Sequence, residues 1–186
     1  MKNRNLFYSL LEPVHPKAEA FCRKLAGNRE DGDDLYQEGL LKALMSFESL
    51  RDHSAFKSWL YRILVNCHKN RARTSWWKRR VSLTAEMVES GPSHDPGGLY
   101  SARRRLKLAL AVLKPEDRAM VVLSELEDWS ISELAQLFDK PQGTIKARLH
   151  RAKKKMLERL SKTVDEQDLK ESTGDRICIA VKRNTD

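Results

Sequence analysis

WSISELAQLFDKPQGTIKARLHRAKKK, from Trp129 to Lys155, is the stretch whose reading decides the fold. Ser130 and Glu133 stand in the Ser-x-x-Glu spacing of a capping box, which marks the start of a helix. Ile131, Leu134, Ala135 and Phe138 recur at helical spacing and give that helix a buried side. Asp139, Lys140 and Pro141 end it, because a proline disfavours helical geometry at the residue before it. In the helix that follows, Ile145, Leu149, Ala152 and Met156 form one inward stripe. Gly143, Ala147, His150 and Lys154 fall on the opposite side, flanked by Thr144, Lys146, Arg148, Arg151 and Lys153. A narrow ridge of small residues edged with cations has the shape needed to enter a major groove between two phosphate rows. The stretch predicts a helix-turn-helix that binds DNA.

The rest of the chain agrees with a polyanionic partner. Its 186 residues carry a formal net charge of +9 and a pI near 9.6, a balance suited to nucleic acid. The apolar runs are too short to span a bilayer. The N-terminal MKNRNLFYSLLEP lacks a signal-peptide core, so the expected location is the cytoplasm. Cys22, Cys67 and Cys178 have no C-x-x-C spacing, and Cys67 reads as a small hydrophobe on an apolar helix face. The five histidines are scattered without ligand spacing, so neither a metal nor a cofactor is expected.

Helical periods dominate and strand alternation is almost absent, which predicts an all-α chain of two small helical domains. Residues 6–81 form the first, with three or four helices, and residues 101–160 the second. Between them, 82–100 collects two prolines and three glycines, a linker composition. Residues 161–186 read as a frayed tail, apart from the apolar Ile177–Val181. The linker predicts a loose orientation between the two lobes.

Two segments of the first lobe look functional. The helix from Asp31 to Phe47 buries Tyr36, Leu40, Ala43, Leu44 and Phe47, and its other side gathers Asp34, Gln37, Glu38, Leu41 and Met45. Apolar groups left outside among acids fit a protein partner or packing on the neighbouring N-terminal helix. Ser54 is the expected cap of the next helix, Ala55 to about Arg73. Its core stripe holds Phe56, Trp59, Leu60, Ile63, Leu64 and Cys67. Arg62, Asn66, Lys69 and Arg73 line one flank, with Tyr61 and His68 on the outer surface. Cations mixed with an aromatic and an asparagine fit nucleic-acid contact.

Two motifs together resemble a known family. DGDDLYQEGLLKA followed by FKSWLYRILVN resembles region 2 of bacterial sigma factors. LKPEDRAMVVLSELEDWSISELAQLFDKPQGTIKARLHRAKKKM resembles their region 4. With these two regions joined by a short linker, the chain resembles the small extracytoplasmic-function group of the sigma-70 family. Asp139 stands where the turn usually carries glycine, a substitution that aspartate tolerates through left-handed geometry. The segment GLLKAL also departs from the group's more usual threonine- and phenylalanine-bearing version.

The resemblance implies roles. Asp34, Gln37, Glu38 and Leu41 would contact the clamp helices of the largest subunit of core RNA polymerase, and the flap would be a second polymerase contact. The loop Ser49 to Ser54 and the helix bearing Trp59, Tyr61, Arg62, Asn66, Lys69 and Arg73 would bind and help melt the promoter minus-10 element. Gln142, Thr144, Lys146, Arg148 and Arg151 would read or clamp the minus-35 element. The linker, with Glu86, Glu89 and Asp95, would thread the polymerase cleft. Promoter DNA is the second partner and an anti-sigma factor a third, with no small-molecule substrate, no catalytic residue and no metal. A stand-alone helix-turn-helix regulator is the alternative, and it leaves the outward patch around Leu41 unexplained. A nucleic-acid enzyme using Asp33, Asp34 and Glu38 is a further rival. Against it, Asp33 and Glu38 point to different sides of their helix.

Overall fold

The computed structural model describes residues 2–81 and 99–161, with side chains described for 3–74 and 104–161. Expectations for the linker acids and the tail lie outside the described residues. Every regular element among the described residues is helical. The first lobe contains α1 (Lys2–Leu11), α2 (His15–Ala26), α3 (Arg29–Ser46) and α4 (Phe56–Val81), with short 3₁₀ turns at Phe47–Ser49 and His53–Ala55. The second contains α5 (Leu99–Ala111), α6 (Pro115–Leu126), α7 (Ile131–Phe138) and a last helix, α8, over 142–161.

Local chemistry sets the ends of these helices. Asn28 accepts a hydrogen bond from the Asp31 N–H and caps α3 two residues before the start expected from the sequence. Ahead of α4 the capping falls to Asp52 rather than Ser54: its carboxylate accepts from the Ser54 N–H at 2.9 Å and hydroxyl at 2.6 Å, which forms the 3₁₀ turn. Helix α2 ends at Gly27, whose φ of +82° lies in the left-handed region that glycine enters without steric cost.

Helices α2, α3 and α4 pack into a bundle. At one end Phe7 meets Phe47 and Phe56 edge-on at 5.2 and 5.6 Å between centroids, which fastens α1 to the entry of α4. Close approach within the bundle depends on two glycines of α3. A Cβ at Gly32 would overlap the Arg23 backbone of α2, and one at Gly39 would overlap the Leu64 side chain of α4.

The lobes are packed against each other, contrary to the loose arrangement the linker composition predicts. Helix α6 lies on α2 and α4, and α7 lies on α4. The buried residues of both lobes therefore form one continuous cluster, from Phe7 and Phe21 through Tyr61 to Trp129, Leu134 and Ile145.

Gly32→Ala is expected to destabilise the fold by about 1–3 kcal/mol, because the added methyl meets backbone that cannot rotate away. Urea unfolding followed by far-ultraviolet circular dichroism checks this, and Ala at exposed Gly143, where nothing lies within 4 Å, serves as the control whose midpoint does not fall, since alanine is the better helix former.

Candidate nucleic-acid interface

The helix-turn-helix forms as its sequence predicts. Ser130 and Glu133 complete both halves of the capping box at the start of α7. The turn passes through Asp139 at φ +51°, the left-handed geometry expected of an aspartate in a glycine position. The Lys140 N–H returns to the Ala135 carbonyl at 3.0 Å. Helix α8 then starts after Pro141, whose carbonyl accepts from the Ile145 N–H.

Ile145, Leu149 and Ala152 are buried and Met156 packs against them, while Gly143, Ala147, His150 and Lys154 are exposed. Gln142, Thr144, Lys146 and Arg151 share the open side, and the Arg151 guanidinium folds back on the Ala147 carbonyl at 3.3 Å.

Arg148 is placed differently. Only 18% of its side chain is exposed, and its guanidinium meets Asp117 through Nε and Nη2 at 2.7 and 2.6 Å and Glu116 through Nη1 at 2.6 Å. A planar fork matched to two carboxylates is a strong and directional arrangement. Arg148 thus joins α8 to the first turn of α6, and the two acids are residues the sequence reading did not single out. The clue was Pro115 followed by Glu116 and Asp117, a helix start whose acids also complement the dipole.

In the first lobe, Asp34, Gln37, Leu41 and Met45 are exposed, the last two at 62% and 86%. They do not pack on α1, which resolves the choice left by the sequence in favour of an open apolar patch. Glu38 is half-buried, with Lys42 and Arg71 each 2.6 Å away. Lys42 first, then Arg71, hold its carboxyl below the usual range against the opposing effect of burial. Asp33 is bound instead to Arg23 and Arg29.

On α4, Arg62, Asn66, Lys69 and Arg73 are exposed along one flank, and Trp59 is half-buried against Phe47 and Phe56. Tyr61 and His68 require correction. Tyr61 is 1% exposed, with its ring 5.1 Å from those of both Phe21 and Trp129, and burial pushes its phenol up. His68 is buried near Arg118, and its Nε2 meets no hydrogen-bond partner among the described residues. Burial first, then the Arg118 charge, lower its pKa to about 4. The reason is common to both: the outer side of α4 is covered by the second lobe.

The covering residues include Trp129 and Arg118, neither of which the sequence reading assigned. Trp129 immediately precedes the cap of α7, where a hydrophobic staple is expected, and that position was its available signal. Arg118 donates to the carbonyls of Leu110 and Leu25 at 3.0 Å each, which ties the second lobe to the C-terminal end of α2.

Fold and surfaces together define a two-lobed helical protein with a helix-turn-helix in one lobe and a basic helix flank in the other. The pattern described as Sigma-70 region 2 matches residues 10–78, and that described as Sigma-70, region 4 matches 103–156. The RNA polymerase sigma-E factor of Streptomyces coelicolor is 30% identical over 86% of this chain and 88% of its own length. The ECF RNA polymerase sigma-E factor of Haemophilus influenzae is 34% identical over 68% and 72%. Among solved structures, the sigma factor RpoE of Bartonella quintana, in complex with the anti-sigma factor NepR, superimposes with a TM-score of 0.67 at 26% identity over 83% of this chain and 96% of that one. The chain belongs to the extracytoplasmic-function sigma factors of the sigma-70 family. No helix among the described residues is long and apolar enough to cross a membrane.

Arg148→Ala is expected to lower the stability of the second lobe by about 1–3 kcal/mol, since it leaves Glu116 and Asp117 side by side without their cation. Arg151→Ala should leave the unfolding midpoint within about 0.5 kcal/mol of the wild type. Denaturant titration of the two variants decides between a structural and a DNA-clamping role for Arg148.

Proposed function

We propose that this sigma factor binds core RNA polymerase through α3, opens the minus-10 element with α4 and reads the minus-35 element with α8. It supplies no chemistry of its own and works in the cytoplasm. The observation that carries the reading is the exposed Leu41 and Met45 beside Asp34 and Gln37. A DNA-binding regulator without a protein partner has no use for such a patch. Apolar groups rimmed by acids suit the clamp helices of the polymerase largest subunit, with the flap as the second polymerase contact. Glu38 belongs to this face, although its ties to Lys42 and Arg71 give it a structural share.

Division of labour between the lobes follows from what each DNA state needs. Duplex readout requires a helix in the major groove, and α8 offers Gln142, Thr144, Lys146 and Arg151 around a ridge of small residues. Trapping unpaired bases requires cations beside aromatic or pocket surfaces. Arg62, Asn66, Lys69 and Arg73 supply the polar part of that surface, with Trp59 beside them; Tyr61 joins it only if the covering lobe moves. The sigma factor RpoE of Bartonella quintana is solved in complex with the anti-sigma factor NepR, and a protein of that kind is the proposed third partner.

Gln37→Ala combined with Leu41→Ala should weaken binding to core polymerase at least tenfold, which is about 1.4 kcal/mol, and leave the thermal midpoint unchanged. Fluorescence anisotropy of labelled protein titrated with core polymerase gives the affinity, and an unchanged value removes the argument against a stand-alone regulator.

For α8, Arg151→Ala should weaken promoter binding across sequences and reduce the logarithmic salt slope by about 1, as expected for one lost phosphate contact. Gln142→Ala or Thr144→Ala should instead lose roughly 1–3 kcal/mol on the correct minus-35 element and little on mismatched ones. Salt titrations of the polymerase complex on matched and mismatched fragments separate the two patterns.

A further inference from the structure

One arginine of α4 grips α3 at two points. Arg71 donates through Nε to the Glu38 carboxylate at 2.6 Å and through Nη1 to the Asp31 carbonyl at 3.3 Å. Asp31 and Glu38 stand two helical turns apart, which puts them on the same side of α3. Lys42, one turn further along, takes the other Glu38 oxygen at 2.6 Å. Its ammonium also meets the Cys67 Sγ of α4 at 3.6 Å. Polar contacts therefore run along the seam between α3 and α4 from Asp31 to Lys42. Gly39 and Leu64 make the close apolar contact between the same two helices.

This run of contacts borders the surface proposed for the polymerase. Asp34 lies one turn before Glu38, and Leu41 and Met45 lie one and two turns beyond it. All three are exposed, while Glu38 is half-buried at their edge. A free glutamate would have to be immobilised on docking, which costs between about twofold and tenfold in affinity. Here both oxygens are held in advance by charge-assisted bonds. A carboxylate offers about four lone-pair sites, so the two cations leave the others for a donor on a partner.

We infer that Arg71 and Lys42 are positioning residues for polymerase binding: they act through Glu38, whose carboxylate they hold oriented at the edge of the α3 face, and do not touch the polymerase themselves. The inference rests on the proposed role of α3 as the polymerase-binding face. It separates Arg71 from the cations nearest to it in sequence. Lys69 and Arg73, two residues to either side, are assigned to DNA, whereas Arg71 turns to α3. One stretch of α4 thus serves both working surfaces of the first lobe.

The test is a double-mutant cycle, read by the affinity of the full chain for core RNA polymerase. Glu38→Gln keeps the shape of the side chain and should weaken binding about tenfold, as expected for one lost charge-assisted contact. Arg71→Gln and Lys42→Gln should each weaken it about threefold, the cost of a freed side chain. Neither should weaken it further when Glu38 is already glutamine. Arg71→Lys keeps a cation for Glu38 and gives up the second grip, so affinity should return to within about twofold of the wild type. Circular dichroism checks that each variant is folded at the assay temperature, and its thermal midpoint should move by no more than about 4 °C. Arg71→Gln at wild-type affinity overturns the inference, and so does an equal loss with and without the Glu38 carboxylate. Failure of Arg71→Lys to restore affinity also overturns it, since a purely structural strut needs both grips. Wild-type affinity in Glu38→Gln does the same where Gln37→Ala with Leu41→Ala weakens binding. If that last pair also binds as the wild type does, the reading of α3 has failed instead, and the positioning role falls with it.

Discussion

Helix α4 is held from two sides, and the rest of the molecule is arranged around that constraint. Leu60 and Leu64 are fully buried in the molecule, and Leu64 reaches α3 where Gly39 leaves room for it. Tyr61, Val65 and His68 are also buried, on a side that a four-helix lobe alone would leave to water. Trp129 and helices α6 and α7 cover it. An isolated first lobe would expose a tyrosine, a valine and a histidine in one strip along its most basic helix. That surface needs a cover, and in the structure the second lobe supplies it.

Much of this was legible in the sequence, for reasons that differ by element. The helix-turn-helix is written locally: a Ser-x-x-Glu cap, an aspartate able to turn left-handed and a four-residue stripe fix it without reference to anything distant. The patch around Leu41 was visible because apolar residues stood on the wrong side of a periodic helix, although its exposure needed the position of α1 to settle. Tyr61 and His68 were misplaced because periodicity assigns each helix one buried side, and nothing within α4 announces a second. Arg148 looked like its basic neighbours, since its carboxylates lie 31 and 32 residues away. The capping role of Asp52 was not legible, because the short 3₁₀ turn His53–Ala55 carries no period to read.

The Arg148 fork has a consequence for how DNA would be read. A helix resting only on an apolar stripe retains some freedom to roll, since hydrophobic contact is not directional. Two carboxylates on α6 gripping one planar guanidinium remove that freedom and set the angular phase of α8 about its own axis. Phase determines which side chains face the floor of a groove and which face its walls. An error of one residue step, about 100° of rotation on an α-helix, would swing Thr144 from floor to wall. If α8 reads the bases as proposed, its register would be set inside the protein, by the ion pairs of Arg148 with Glu116 and Asp117.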